Sequence, residues 1–173
     1  PNNPSGWTMS NEEQKAILEF ARKRGIWIVS DEVYARISFN AKHAPSFCEL
    51  IEKDDRVIIV NSFSKSWAMT GWRLGWITTP VQIGVQFEKL TEYNVAGPPP
   101  FIQQAGITAL RDGESFISAS NHRYSKALSY FKEWSEFQER IEFDVPNAAF
   151  YAFFKIKKEN DSMTMAKDLL KKG

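Results

Sequence analysis

The first pattern of apolar and polar positions along the chain is that of an amphipathic helix. Ser10 and Glu13 form a capping box, which marks a helix start, and Gly25 provides the stop signal. The apolar positions between these signals recur at helical spacing on one face, at Ile17, Leu18 and Ala21. We therefore predict a helix that ends immediately before the first apolar run of the chain.

Three apolar runs then predict strands. The first covers residues 26–30 and the second residues 56–60, and both are short, which is typical of buried strands in a parallel sheet. A third strand is predicted over residues 72–78, whereas residues 35–55 are predicted to be an irregular connection. Because helix and strand follow each other within a few residues, the sequence predicts the α/β class.

The rest of the chain is predicted to be mostly helical. Pro98, Pro99 and Pro100 break the helical pattern in the middle of this part. The predicted elements are helices over 81–93, 101–111 and 114–137, a strand over 150–156 and a last helix over 163–171. The long helix carries an apolar face that predicts a core contact, at Phe116, Ile117, Tyr124, Leu128, Phe131 and Trp134.

Composition narrows the class of protein. The chain has 173 residues, 43% of them hydrophobic, which is enough for one core and part of a second. A net charge of +1 gives no general attraction to nucleic acid or to an anionic membrane, and no apolar run is long enough to span one. Cys48 is the only cysteine, so we expect no intrachain disulfide and a cytoplasmic location. The chain starts inside a motif and without Met, which suggests a fragment.

Candidate chemistry lies just after two of the predicted strands. Lys65 follows the second strand, where open α/β sheets place their ligands, and Arg73 comes eight residues later. The lysine offers an amine for covalent chemistry and the arginine offers donors to a phosphate. Asp31 ends the first strand and can keep a heterocyclic nitrogen protonated, while Tyr34 can donate to an oxygen on the same ring. Each signal alone is also typical of an ordinary turn, but their combination indicates a pyridoxal phosphate (PLP) enzyme. No metal site is predicted.

Four motifs in this order resemble those of the class I/II aminotransferases, which are PLP enzymes of fold type I. They are Asn3-Pro4-Ser5-Gly6, Asp31-Glu32-Val33-Tyr34, Ser62-Phe63-Ser64-Lys65 and Gly71-Trp72-Arg73-Leu74-Gly75. Weaker matches at residues 98–105 and 146–151 extend the resemblance over nearly the whole chain. It implies a partial aspartate aminotransferase-like fold, with a mostly parallel sheet flanked by helices and part of an α+β small domain. Residues 1–114 would be the second half of the large PLP-binding domain, and residues 115–173 the beginning of the small domain.

The resemblance also implies a role for each motif residue in the chemistry. Lys65 would form the resting Schiff base with the cofactor and then move the proton at the substrate Cα. Asp31 would keep the pyridine nitrogen protonated. Asn3 and Tyr34 would donate hydrogen bonds to the phenolic oxygen of the ring.

The remaining implied contacts are those with the phosphate. Arg73 and Ser62 would bind its oxygens, and Ser64 is a further candidate. The resemblance implies three more parts outside these 173 residues: a glycine-containing phosphate loop, an aromatic that stacks on the cofactor and an arginine for the substrate carboxylate. It also implies a homodimer in the full-length protein. We therefore expect the isolated chain to be nearly inactive.

The implied reaction is transfer of an amino group from an L-amino acid to a 2-oxo acid such as 2-oxoglutarate, in the aspartate or aromatic branch of the family. Two alternatives stay open. A carbon–sulfur lyase or related fold-type I enzyme would use the same lysine for another reaction. A non-catalytic remnant would keep only the fold, although the joint presence of Asn3, Asp31, Tyr34, Lys65 and Arg73 argues against it.

Overall fold

The computed structural model describes residues 1–157 and 161–172, and within them the chain has six helices and five strands. The helices are α1 (Asn11–Arg24), α2 (Phe63–Ser66), α3 (Val81–Val95), α4 (Pro100–Asp112), α5 (Glu114–Glu136) and α6 (Ser162–Lys172). The strands are β1 (Ile28–Asp31), β2 (Val57–Ser62), β3 (Gly75–Thr78), β4 (Ile141–Phe143) and β5 (Phe154–Ile156). Two short 3₁₀ helices cover Phe47–Glu49 and Thr70–Trp72. No helix in this described part is both long and apolar enough to cross a membrane.

The capping signals of the first helix are confirmed. Ser10 Oγ accepts from the Glu13 amide at 3.2 Å, and Glu13 Oε2 accepts from the Ser10 amide at 2.7 Å. Gly25 ends the helix with a φ of 64°, in the left-handed region that glycine adopts without strain. The predicted apolar face is wrong at Ile17, which is exposed; Gln14 is buried instead and donates to a carbonyl of the connecting loop.

The first three strands form one mixed sheet in the order β1-β2-β3. β1 and β2 are parallel, with Ile28 opposite Val57, and β3 is antiparallel to β2, with Gly75 opposite Ser62. The α/β class is confirmed, although only one of the two pairings described here is parallel. The central strand buries Val57 and Ile59, and burial of such side chains contributes about 1.5–3 kcal/mol each.

The structure corrects the boundaries of two predicted strands. β3 begins at Gly75 rather than at residue 72, because the preceding residues form a 3₁₀ turn and Arg73 has a φ of 53°. β5 begins at Phe154 rather than at residue 150, because a bend covers Ala149 and Phe150 and the pairing with β4 starts only at Phe154. Its antiparallel partner β4 was not predicted from the sequence.

The apolar face of the long helix is confirmed only in part. Within α5, Ile117 is buried, and Tyr124 packs against Phe150 with ring centroids 5.5 Å apart. Phe116 and Trp134, also predicted to face the core, are 45% and 47% exposed. Helical spacing identifies one apolar stripe, but its width depends on what packs against it.

Two apolar cores hold the described residues together. The first lies between α1 and the sheet and contains Leu18 and Phe47 with the two buried residues of β2. The second contains Tyr34, Ile37 and Ala149, and so joins residues on both sides of the predicted boundary at 114/115. That boundary stays a prediction, and residues 158–160 and 173 of the predicted second domain lie outside the described residues.

Helix α4 packs against the segment that follows β2. Trp67 Nε1 donates to the carbonyl of Ala109 at 2.9 Å. Gly106 of α4 lies close to the side chains of Leu74 and Phe63: an added Cβ would be 2.6 Å from Leu74 Cδ2 and 3.2 Å from Phe63 Cζ. These contacts fix the short helix α2, which carries the central lysine of the site.

Candidate active site

Lys65 lies on a single helical turn directly after the central strand. The Ser62 hydroxyl starts this turn by accepting from the Ser64 amide at 3.0 Å. Lys65 Nζ lies 5.8 Å from the centroid of the Tyr34 ring. Among residues 1–157 and 161–172 it has no carboxylate partner within salt-bridge distance. The amine of Lys65 therefore forms no ion pair with an acidic side chain in these two ranges.

Tyr34 forms the aromatic surface next to this amine. It follows β1 and is only 5% exposed. Its ring packs edge-on against Phe150 and Tyr151, with both centroid distances at 5.5 Å, and its hydroxyl contacts the Tyr151 hydroxyl. Burial in the first place, and then the hydrogen bond with Tyr151, raise the pKa of the Tyr34 phenol. The phenol is therefore neutral at ordinary pH and keeps a proton that it can donate.

Asp31 ends β1 at the same edge of the sheet. Its Cα partner on β2 is Val60, so the carboxylate lies beside the end of the central strand. The side chain is exposed, and Oδ1 accepts from the Val33 amide at 3.1 Å. This local bond orients one oxygen of the Asp31 carboxylate. The acid therefore lies at the carboxyl end of a parallel strand, where open α/β sheets bind their ligands.

Arg73 reaches the same edge from the third strand. It comes two residues before Gly75, which pairs with Ser62 across the sheet. The side chain is exposed, and Nη1 donates to the Thr70 carbonyl at 2.9 Å. No carboxylate within the described ranges pairs with its guanidinium. The fork is therefore available to an anionic ligand.

The other predicted site residues are placed differently. The Ser62 hydroxyl donates to the Leu74 carbonyl at 3.3 Å, so its hydrogen is used inside the protein. Ser64 is buried, and its carbonyl accepts from Thr70 Oγ1 at 3.0 Å. Asn3 is exposed in a turn, and its amide makes no described hydrogen bond to Asp31, Tyr34 or Lys65. The cofactor contacts of these three residues stay predictions.

The turn that carries Asn3 is nevertheless fixed close to the second core. Gly6 ends this turn with a φ of 68°, and a Cβ there would lie 2.3 Å from Pro146 Cβ. The Gly6 amide donates to the Asn2 carbonyl at 2.9 Å, which closes the turn. The first of the four motifs thus packs against residues 146–151, the last of the weaker matches.

Sequence reasoning missed two residues that build the site. Glu32 is buried and accepts from the Ser46 hydroxyl at 2.5 Å and from the Phe47 amide at 3.0 Å, which ties the connecting loop to the end of β1. An acid directly after a buried strand was the available signal. Tyr151 contacts Tyr34 across 117 residues of sequence, and no local pattern indicates such a pairing.

Together these placements define what the site can do. Lys65, Arg73 and Asp31 share one edge of the sheet, and the amine and the guanidinium have no carboxylate partner among residues 1–157 and 161–172. The ring of the neutral Tyr34 lies beside the amine. Such a set fits a ligand with a carbonyl that an amine can attack and an anionic group that a guanidinium can bind.

Comparisons with known proteins agree with this chemistry. A family model described as aminotransferase class I and II matches residues 1–173. An aspartate aminotransferase of Pyrococcus horikoshii is 36% identical over 156 residues, which are 88% of this chain and 39% of that protein. An aromatic-amino-acid aminotransferase of Thermococcus litoralis is 34% identical, over 91% of this chain and 41% of its own length. The crystal structure of an aspartate aminotransferase from Thermotoga maritima has a TM-score of 0.84 at 28% identity, over 99% of this chain and 44% of that one.

These matches confirm the predicted aspartate aminotransferase-like fold of type I. They also show that the chain spans about two fifths of the length of the curated relatives it matches.

Proposed function

The chain belongs to the class I and II aminotransferases, and from this premise we propose that the full-length protein is a PLP-dependent transaminase. It moves the amino group of an L-amino acid to a 2-oxo acid such as 2-oxoglutarate. The observation that carries the proposal is the Lys65 amine, which lies at the carboxyl edge of the sheet without a described acid partner and 5.8 Å from the Tyr34 ring centroid.

The residues at this edge fit the cofactor that the family uses. PLP supplies an aldehyde that bonds to amines and a protonated ring that takes up the electron pair released at the substrate Cα. Lys65 would hold that aldehyde, and Arg73 would hold the phosphate through its planar fork. Asp31 would keep the ring nitrogen protonated, because a nearby negative charge favours the cationic form. Lys65 and Arg73 fit this cofactor because no carboxylate in the part of the chain that the structure describes pairs with either side chain.

Each residue then has a distinct task during the reaction. Once the substrate amine has displaced it from the aldehyde, the free Lys65 amine would act as the base that takes the proton from the substrate Cα, and then as the acid that returns this proton to the cofactor carbon. The neutral Tyr34 phenol would donate to the phenolic oxygen of the cofactor ring. The rings of Phe150 and Tyr151 pack edge-on against Tyr34 and hold it in place.

Three further cofactor contacts complete the proposed site. Asn3 would donate to the same ring oxygen as Tyr34. Ser62 would contribute to phosphate binding, and its cap on the lysine-bearing turn supports a role in orienting that turn. Ser64 is a weaker candidate for the phosphate because it is buried.

The larger organisation is also part of the proposal. Residues 1–114 would belong to the large PLP-binding domain and residues 115–173 to the start of the small domain, and the beginning of α5 at Glu114 supports this division. Substrates of the aspartate or aromatic type are supported by the names of the relatives. We further propose that the full-length protein is a homodimer and that it lies in the cytoplasm. The second point is supported by the single cysteine, Cys48, because a protein without disulfides suits a reducing compartment.

The decisive experiment is borohydride reduction of the full-length protein with PLP, followed by peptide mass mapping. We expect the pyridoxyl group on the peptide that contains Lys65, and its loss in Lys65→Ala. Lys126→Ala is a matched control, since Lys126 Nζ also lies 5.8 Å from a tyrosine ring centroid, that of Tyr130, but on an exposed helix. A pyridoxyl group on any other lysine would contradict the assignment.

The reaction itself is tested by incubating the full-length protein with a panel of amino donors and 2-oxoglutarate. Formation of glutamate is the expected result. Pyruvate and ammonia without glutamate would contradict amino transfer and would indicate the carbon–sulfur lyase chemistry that the same lysine can support.

A further inference from the structure

Tyr151 is the residue in contact with Tyr34 for which the proposed function has no role so far. The two hydroxyls contact each other, and the rings meet edge-on at an angle of 68°. Lys65 Nζ lies 5.8 Å from the centroid of the Tyr34 ring. Tyr34 thus contacts Tyr151 through its hydroxyl while its ring is the nearest described aromatic surface to the lysine amine.

The position of Tyr151 is fixed by backbone hydrogen bonds rather than by its side chain alone. The Ala149 amide donates to the Ile37 carbonyl at 2.9 Å, and the Phe39 amide donates to the Asn147 carbonyl at 3.1 Å. Ala149 is completely buried. The segment before Tyr151 is therefore held against the loop that follows Tyr34, so the two hydroxyls meet in a fixed geometry.

We infer that Tyr151 is a positioning residue that donates a hydrogen bond to the Tyr34 hydroxyl, and through it sets how strongly Tyr34 donates to the cofactor. The inference rests on the proposed function. A phenol has one proton, so when Tyr34 uses its own proton on the cofactor's ring oxygen, Tyr151 must be the donor between the two hydroxyls. A bond received by a hydroxyl oxygen polarises its O–H and strengthens the bond it donates.

Two charged groups and two hydroxyls surround Tyr34 in this structure. Asp31 faces it from the end of β1 and Lys65 from α2, while the neighbouring aromatic hydroxyls are those of Tyr151 and Tyr124. Burial raises the pKa of the Tyr34 phenol, so it keeps the proton that it would donate to the cofactor.

The test is the pH midpoint of the visible absorbance change of bound PLP in the full-length protein. Donation by Tyr34 draws electron density from the ring oxygen and lowers this midpoint, so Tyr151→Phe is expected to raise it. Because a received bond strengthens the donated one by only about 10–30%, the expected shift is about 0.1–0.6 pH unit. Tyr130→Phe is the control, because Tyr130 is exposed on α5 and its loss is expected to leave the midpoint unchanged.

A double-mutant cycle separates a positioning role from a merely structural one. In a Tyr34→Phe background, adding Tyr151→Phe is expected to shift the midpoint no further, because the path through Tyr34 is already broken. A full additional shift in that background would overturn the inference, and so would an unchanged midpoint in Tyr151→Phe with normal PLP absorbance. If the wild-type protein showed no PLP absorbance at all, the proposed function would fail and this inference with it.

Discussion

Gly6 makes the sharpest prediction about how the site is held together. Its φ of 68° lies in the left-handed region, and an added Cβ would be 2.3 Å from Pro146 Cβ and 2.7 Å from the Ala148 carbonyl oxygen. The left-handed conformation costs a residue with a Cβ about 1–2 kcal/mol. Overpacking against a proline ring and a backbone carbonyl, neither of which can rotate away, costs about 1–3 kcal/mol more. Gly6→Ala is therefore expected to lower the free energy of unfolding by about 2–5 kcal/mol.

Two other glycines separate the contributions to this loss. Gly97 has a φ of 87° and nothing within 4 Å of a Cβ, so Gly97→Ala carries only the backbone strain of about 1–2 kcal/mol. Gly84 lies inside α3 with a negative φ and equally open surroundings, so Gly84→Ala is expected to stabilise the helix by up to about 1 kcal/mol. The expected order of stability is Gly84→Ala, wild type, Gly97→Ala and then Gly6→Ala.

The assay is guanidinium unfolding of the full-length protein, followed by tryptophan fluorescence, with the shift of the midpoint converted through the slope of the transition. PLP binding is measured on the same samples, because the Gly6 turn carries Asn3. If Gly6→Ala unfolded at the same midpoint as Gly97→Ala, the contact with Pro146 would contribute nothing and the reasoning would be refuted.

Two further predictions concern charged side chains. Arg22 binds Asp55 through two bonds of 2.7 and 2.6 Å and lowers the pKa of this largely buried carboxyl below 3.8. Asp55→Asn should therefore cost about 1–2 kcal/mol of unfolding free energy at neutral pH. A carboxyl whose pKa is lowered by folding stabilises the fold at pH values above its unfolded pKa, so the loss of unfolding free energy in Asp55→Asn should shrink as pH falls through the folded pKa. Asp54→Asn at an exposed position is the control. A loss in Asp55→Asn that does not depend on pH, or an equal loss in Asp54→Asn, would contradict the ion pair. Arg73→Lys is expected to weaken PLP retention about 5- to 30-fold in equilibrium dialysis, since the planar fork is lost, whereas Arg111→Lys on the surface of α4 should change nothing. Equal retention in both variants would remove Arg73 from the proposed phosphate site.

Local signals in the sequence were sufficient for much of the fold. The caps of α1 and the break at the prolines were found because each depends on residues a few positions apart. The strand starts were predicted less well. β3 starts later than predicted because Arg73, which is not a glycine, has a positive φ. β5 starts later because its pairing with β4 begins only at Phe154. The strand β4 was missed because three residues are too few to show a period.

The sequence by itself determined that a lysine follows a buried strand, that an acid follows another, and that an arginine comes eight residues after the lysine. The parallel pairing of β1 with β2 and the antiparallel return of β3 decided that all three meet at one edge of the sheet. Only the tertiary structure brought Tyr151 to Tyr34 and buried Glu32 beneath the connecting loop. The physical reason is range: caps and turns are fixed by neighbours in the chain, whereas contacts across a hundred residues depend on how every intervening element packs.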